Sequence, residues 1–394
     1  MNILLTNLAR KIIHKALHKI QDGQLILREG GSVFVFGNPE SLIKETITID
    51  SAVTYQYVLF DGTNGAAESY IKGYWHTQNL PGVLKLFLVN DKSTLQAFEK
   101  GINSIKTAWF YLSKLFQTSI AANKKNIAYH YDLGNDFFFA FLDQTKQYSC
   151  ALFNKDTNSL HEASINKLNH ICKQMNIKPG DKVLEIGCGW GALTEYLARN
   201  FKCDVTAITI SEAQYEHCKK RFKAAEVKNN ITLLLTDYRL VTGLFDKIVS
   251  IEMIEAVGEK NLGTFFKQVN KLLRPKGELF LQMILMNNAN YKNYRSKIDF
   301  IQKYIFPGGH LPCQAVINKL VSELTSFQSL QWEDITSHYP LTLKHWQDRF
   351  NKSIPEKYAR NIALVRTWKF YFAYCRIGFE EKFIQTIQAK YIKG

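Results

Sequence analysis

No stretch of the chain approaches the ~20 uninterrupted apolar residues that a membrane-spanning helix needs, although hydrophobic residues make up 46% of its 394. The opening MNILLTNLARKIIHK lacks a secretory apolar region and a small-residue cleavage site. It is poor in acids, as transit peptides are, but carries only Arg10 where such peptides are rich in arginine. The expected location is cytoplasmic. Cysteine pairs are missing too. The seven cysteines are scattered and odd in number, with no C-x-x-C, which argues against a disulfide framework and against structural zinc. No metal site is expected. Zinc-finger spacing, an RNP aromatic motif and Arg-rich blocks are all absent, so the formal charge of +15 points away from nucleic acid and toward an anionic membrane surface.

What is present organises into two regions, as a chain of this length suggests. Residues 3–20 read as a helix: Leu5, Leu8, Ile12, Ile13, Leu17 and Ile20 recur at helical spacing, with Arg10, Lys11, His14, Lys15, His18 and Lys19 opposite. Such a helix suits either an anionic lipid surface or its own domain, with a solvated basic face that includes both histidines. Short β-rich runs follow (LILREGGSVFVFGNPE, ETITID, TYQYVLF), then helical stretches around 66–70 and 92–116. Residues 1–118 are therefore expected to form a small α+β domain and the polar stretch 119–127 a linker. Residues 128–394 alternate strand and helix from VLEIG to GELFLQMIL, which implies a Rossmann-like, doubly wound, mostly parallel α/β sheet.

The sharpest local signal is Glu185-Ile186-Gly187-Cys188-Gly189-Trp190-Gly191 between strand and helix. Glycines there let the backbone turn tightly and approach a ligand. A dinucleotide fingerprint would read G-x-G-x-x-G. Here the third glycine comes one residue early and an acid precedes the first, which favours S-adenosylmethionine over NAD. Thr209, Ser211 and Gln214 end the second strand, where ribose hydroxyls would lie. Asp237-Tyr238-Arg239 ends the third, where the carboxylate could accept from an adenine amine and Tyr238 pack on the ring. By itself this trio reads equally as a polar strand end.

Together VLEIGCGWG, ITISEAQ, DYR, SIEMIEAVGEKN and KYIFPGGHLP, with HYDLGNDFFFAFLDQTKQYSCALF upstream and HYPLTLKHWQDRF and VRTWKFYFAYCRIGF downstream, resemble the cyclopropane-fatty-acyl-phospholipid synthases and the related mycolic acid cyclopropane synthases. GGSVFVFG and AAESYIKGYWHTQNL resemble the small N-terminal domain of the phospholipid-acting members, and MIEAVG and LQMI are closest to the plant-type branch. The resemblance implies a class I methyltransferase fold and transfer of a methylene carbon from S-adenosylmethionine across an acyl double bond. The enzyme would then associate peripherally with the inner face of the membrane, with a homodimer as one arrangement. It implies cofactor contacts at Tyr148, Ser149, Gly187–Gly191, Thr209, Gln214, Tyr238 and Arg239. It implies a bicarbonate ion held by the Cys150 backbone, Glu255, the Ile284 backbone and Tyr339, with Gln282 where the family has histidine, and an active-site cysteine at Cys375.

The chemistry asks for such groups. An isolated alkene is a weak nucleophile, and placing both reactants supplies up to ~7–11 kcal/mol. A base must then reach a proton of the new methyl at ~2.6–3.2 Å, in a pocket that excludes water. The expected base is bicarbonate, with Glu255 orienting it and accepting its proton. Glutamine cannot relay a proton near neutral pH, so Gln282 would only position the ion. Taken by spacing alone, Glu255 reads as a helix cap, Tyr339 as a core tyrosine, and Cys150 and Cys375 as packed thiols. The same fold would also accommodate a methyl-branching enzyme or a small-amine N-methyltransferase.

Overall fold

The computed structural model describes residues 3–90, 133–157, 159–227 and 230–394. The chain divides into two compact units: Met1–Ser113 with Ser296–Ile305 and Glu356–Glu381, and Lys114–Arg295 with Phe306–Pro355 and Lys382–Gly394. The expected boundaries near 118 and 128, the linker 119–127 and the helix expected at 92–116 lie outside the described residues. The first unit is not one continuous stretch as expected, for a physical reason. The helix Ile362–Glu380 buries Trp368, Phe370, Tyr371 and Phe372. Phe370 lies 5.8 Å from the Tyr70 ring and 4.7 Å from that of Phe300. Arg366 donates to the carbonyls of Tyr70 and Trp75.

In the first unit a hairpin of β1 (Gln24–Glu29) and β2 (Ser32–Gly37) turns on Gly30-Gly31. Both glycines have positive φ, +52° and +85°, the conformation that a two-residue hairpin turn of the type I′ class requires. β3 (Lys44–Ile49) runs parallel to β1, and β4 (Trp75–His76) closes the order β2-β1-β3-β4. The run TYQYVLF is helical rather than extended. It opens the helix Val53–Ile71, which kinks at Gly62. Its aromatic and β-branched residues suit a strand only where a sheet face is offered, and here Tyr55 instead buries its ring and donates to Glu29 Oε2 at 2.9 Å.

The first helix spans Ile3–Leu17 and buries Thr6, Ala9, Ile13, Ala16 and Leu17. Small residues let it pack closely, and the buried stripe is rotated from the one expected. Ile3, Leu4, Leu8 and Ile12 are left exposed, Leu4 by 79%. His14 is not solvent-facing either: it sits edge-on to Phe34, Phe36 and Tyr55, 3.2 Å from the Tyr55 hydroxyl.

The second unit is the expected doubly wound sheet. Its strands are β5 (Lys182–Ile186), β6 (Asp204–Thr209), β7 (Ile231–Leu235), β8 (Phe245–Ile251), β9 (Leu273–Met286), β10 (Phe327–Asp334) and β11 (Ile384–Lys393). They lie in the order β10-β11-β9-β8-β5-β6-β7. The pairs from β9 to β7 are parallel, while β11 pairs antiparallel with both neighbours. Helices Ala192–Phe201, Glu212–Ala224 and Leu262–Leu272 follow β5, β6 and β8. Apolar clusters cover the sheet, one around Phe265, Leu279 and Met283, the other around Leu168, Val183 and Phe280. Strand order reverses between β5 and β8, the switch point where folds of this kind bind ligands at the carboxyl ends of the strands.

Candidate active site

Two turns leave that switch point side by side. The first is the glycine turn after β5. Gly187 and Cys188 both donate to the Ile208 carbonyl at 3.0 Å. Gly187, Gly189 and Gly191 all have positive φ (+82°, +54°, +82°). A Cβ on Gly187 would lie 2.7 Å from Met253 Cγ, and one on Gly191 2.7 Å from Phe222 Cζ. Packing therefore forces both. Nothing lies within 4 Å of a Cβ on Gly189, so its backbone presents an open face that a ligand can approach. Glu185, 4% exposed, accepts from the Thr194 hydroxyl, and burial pushes its carboxyl up to about 7. At the end of β6, Thr209 donates to Gln214 Oε1 at 2.8 Å and accepts from Ser211 N at 3.1 Å.

After β7, Asp237 accepts from Arg239 Nε and Nη2 at 2.8 Å each and from its backbone N at 2.9 Å. Burial works to raise the Asp237 carboxyl, but Arg239 outweighs it and holds the group low. The Tyr238 ring packs on Phe265 at 5.5 Å within the core, so it is not a free platform for a base. Tyr148 sits among Phe138, Phe141 and Trp346 at 5.2–5.8 Å. The Ser149 hydroxyl is 2.5 Å from Lys167 Nζ. The glycine turn, its Gly189 face and the Thr209–Gln214 pair fit S-adenosylmethionine.

The second turn follows β8, which stops at Ile251 rather than continuing through Ile254 as its sequence suggests. Glu252 has φ +48°, an uncommon conformation for a residue with a Cβ. That kink turns its carboxylate into a nest of donors. Oε1 accepts from Cys150 N at 2.9 Å and Gln282 Nε2 at 2.7 Å, and Oε2 accepts from the Tyr339 hydroxyl at 2.6 Å. The Glu252 N–H donates to the Gln282 carbonyl at 2.7 Å. Gln282 is itself oriented by Gln388, whose amide donates to its Oε1 at 2.9 Å. Lys167 is 1% exposed, and its ammonium attracts the Glu252 carboxylate. Burial raises the Glu252 carboxyl, and Lys167, Tyr339, Gln282 and Cys150 N–H all oppose the rise.

Glu255 plays a different part. Its Oε1 accepts from Ile284 N at 2.5 Å, and its carbonyl accepts from His310 N at 2.8 Å. Its Oε2 is buried without a partner. Burial first, and the Glu252 charge second, push this carboxyl up to about 8. Two enclosed carboxyls thus stand three residues apart, both raised by burial, Glu252 with three donors and Glu255 with one donor and an unpartnered oxygen.

The sequence expectations are corrected at one point of substance. Cys150, Tyr339 and Gln282 do converge, but on Glu252; only Ile284 addresses Glu255. The donors expected around bicarbonate are therefore already given to side-chain carboxylates of the protein, and these residues do not fit the ion. Cys375 belongs to the helix Ile362–Glu380 of the first unit, where burial and the Asp299 charge push its thiol up. Glu252 and Lys167 were missed. Each left a trace in the sequence: two acids three apart after an apolar strand, and a lysine within the buried stripe Leu160, Ala163, Ser164, Leu168 and Ile171. Among the described residues no three His, Cys, Asp or Glu side chains gather as metal ligands.

Known proteins share this arrangement of sequence and fold. Residues 118–389 match the family described as Mycolic acid cyclopropane synthetase. A cyclopropane-fatty-acyl-phospholipid synthase of Escherichia coli K12 is 35% identical over 355 residues, 86% of each chain. A tuberculostearic acid methyltransferase of Mycobacterium tuberculosis is 32% identical over 336 residues, 83% of this chain and 78% of the other. A mycolic acid cyclopropane synthase solved with S-adenosylhomocysteine (SAH) and CTAB superposes with a TM-score of 0.63 at 28% identity, covering 68% of this chain and 98% of that one. With a family match across most of its length and the glycine turn intact at the switch point, the chain belongs to the cyclopropane synthase family of S-adenosylmethionine-dependent methyltransferases.

Proposed function

We propose that the protein adds a methylene carbon across the double bond of an unsaturated phospholipid acyl chain and closes a cyclopropane ring. The observation that carries this reading is the enclosed, carboxylate-bearing turn beside the Gly189 face, in a chain whose likeness to the phospholipid-acting Escherichia coli enzyme spans 86% of both proteins. S-adenosylmethionine, when bound, supplies an electrophilic methyl carbon. The protein's own residues do the rest. The glycine turn admits the cofactor to the backbone, and Thr209 and Gln214 offer polar groups to a ribose. The aromatic wall of Tyr148, Phe138, Phe141 and Trp346 keeps water from the cation that follows methyl transfer, and its faces stabilise positive charge without attacking it. Bicarbonate finds its expected donors committed to Glu252, and no step is routed through it.

The exposed apolar residues Ile3, Leu4, Leu8 and Ile12, flanked by Lys11 and Lys15, suit shallow insertion into anionic lipid. Among the described residues no helix is long and apolar enough to cross a membrane. The test is mass spectrometry of lipids from a host expressing the protein. Phospholipids one CH₂ heavier, with the double bond gone, support ring formation. The same gain with an alkene retained favours a methyl-branched product, a reading to which the tuberculostearic acid methyltransferase relative lends weight. No gain in any lipid sinks both.

A further inference from the structure

Three of the five groups expected to grip an external anion, Cys150 N–H, the Tyr339 hydroxyl and the Gln282 side chain, address one side-chain carboxylate at 2.6–2.9 Å. Three donors on one carboxylate is more than a cap or a surface ion pair requires. The backbone is bent into positive φ to bring it there, and such strain persists only where surrounding structure over-determines it. Lys167, buried on the helix Leu160–Gln174, balances the charge. Glu255 stands next to it with Ile284 N on Oε1 and no partner on Oε2.

We propose that the Glu252 carboxylate is the built-in base of this enzyme, occupying the position of the bicarbonate ion that the family resemblance implies. The inference rests on the reading of the reaction above. The alkene π pair bonds to the methyl carbon as the carbon–sulfur bond breaks, and sulfur keeps that pair as a thioether. Positive charge then sits on the other alkene carbon. A C–H bond of the new methyl breaks, its proton passes to Glu252 Oε2, and its electron pair closes the ring. Oε2 has two lone pairs, so it takes the proton on one while the Tyr339 hydroxyl stays on the other and holds the carboxylate in line, and Cys150 N–H and Gln282 hold Oε1 in place. An amide suits this arrangement where a histidine would not be needed: it must donate to a fixed carboxylate, not carry a proton.

Bicarbonate binding without turnover is the direct test, read by calorimetric titration of the SAH-loaded protein with sodium bicarbonate. The wild type is expected to bind none, and E252G, which removes the carboxylate and leaves its donors, is expected to gain saturable binding. Binding to the wild type, or its absence from both proteins, overturns the inference. A kinetic arm uses unsaturated phospholipid vesicles in carbon-dioxide-free buffer. The wild type should turn over equally with and without added bicarbonate. E252Q should lose activity by ~10²–10⁴-fold, the usual contribution of a positioned base, with SAH affinity unchanged. Wild-type activity that collapses without bicarbonate and returns with it refutes the inference. A wild type inert toward every vesicle instead refutes the proposed substrate, and the binding result still stands.

Discussion

Glu255 offers a quantitative check on how deeply the two carboxyls are enclosed. Its carboxyl moves from an ordinary 4.5 to about 8, through burial first and the neighbouring Glu252 charge second. Below pH 4.5 the folded and unfolded chains both hold its proton, and the group costs nothing. Between 4.5 and about 8 the folded protein keeps a proton that the unfolded chain has released. Stability then falls as pH rises, by up to ~1.4 kcal/mol per pH unit. Above about 8 the folded group ionises as well and the penalty is constant. The full shift corresponds to roughly 5 kcal/mol. Glu255 retains part of its surface and shares its charge with Glu252, so about half of that is the realistic figure.

Glu255→Gln keeps the shape, keeps an oxygen for Ile284 N and cannot ionise. The variant should therefore match the wild type near pH 4.5 and grow more stable relative to it as pH rises, by ~2–3 kcal/mol near pH 8. In a unit of this size that is a gain of roughly 5–10 °C in melting temperature. Calorimetric melts of both proteins across the range read it directly. Glu252 faces Glu255, and Lys167, Cys150 and Tyr339 face Glu252; all four are present in both proteins. A melting-temperature gap that does not change with pH would show that Glu255 is not held in its neutral form.

Three further expectations follow from the same geometry. Tyr339→Phe removes one charge-assisted donor from Glu252 Oε2, worth about 1.5–3 kcal/mol. Turnover should drop ~10–100-fold in single-turnover assays while calorimetric SAH affinity stays put, and loss of SAH binding would contradict the assignment. Gly189→Ala meets no protein atom whereas Gly187→Ala meets Met253. Both alanines carry the strain of a positive φ; the first should add to it a weaker SAH binding, the second a larger fall in melting temperature from the clash, and the reverse order would refute the open-face reading. The double variant L4D/L8D alters only exposed side chains. It should reduce co-sedimentation with anionic vesicles without changing the melting temperature, and unchanged sedimentation would remove the first helix from the docking surface.

How much of this was legible in the sequence depended on whether the deciding interaction was local. The glycine turn and its flanking strands were readable because a strand, three glycines and a helix follow one another within a dozen residues, and their conformational needs travel with them. The TYQYVLF run misled because aromatic and β-branched residues signal burial more surely than they signal a strand. The first helix misled in another way. Its large apolar residues were expected inside, but Thr6 and Ala9 allow closer packing and turn Leu4 and Leu8 outward. The first unit's use of Ser296–Ile305 and Glu356–Glu381 is a tertiary matter that no window of sequence contains.

Glu252 shows why the active site was only half visible. FDKIVSIEMI reads as one continuous strand, which points Glu252 nowhere in particular. The positive φ that redirects it has no sequence mark of the kind a glycine would leave. Gln282 taken alone looks like a weakened position, a neutral amide where the resemblance implies histidine. The register of the sheet joins the two observations: Ile251 at the end of β8 lies opposite Gln282 on β9, so the next residue, Glu252, meets that amide at once. A buried carboxylate without donors, or a buried amide hydrogen without an acceptor, would cost about 1–3 kcal/mol or more. Each therefore makes sense only with the other present, and a single substitution at either position should be worse than both together. Comparing E252G, Q282H and the combined E252G/Q282H for turnover in bicarbonate-containing buffer puts this to the test. The double variant recovering above E252G alone supports an exchange of one anion for another, and a double variant below both singles rules it out.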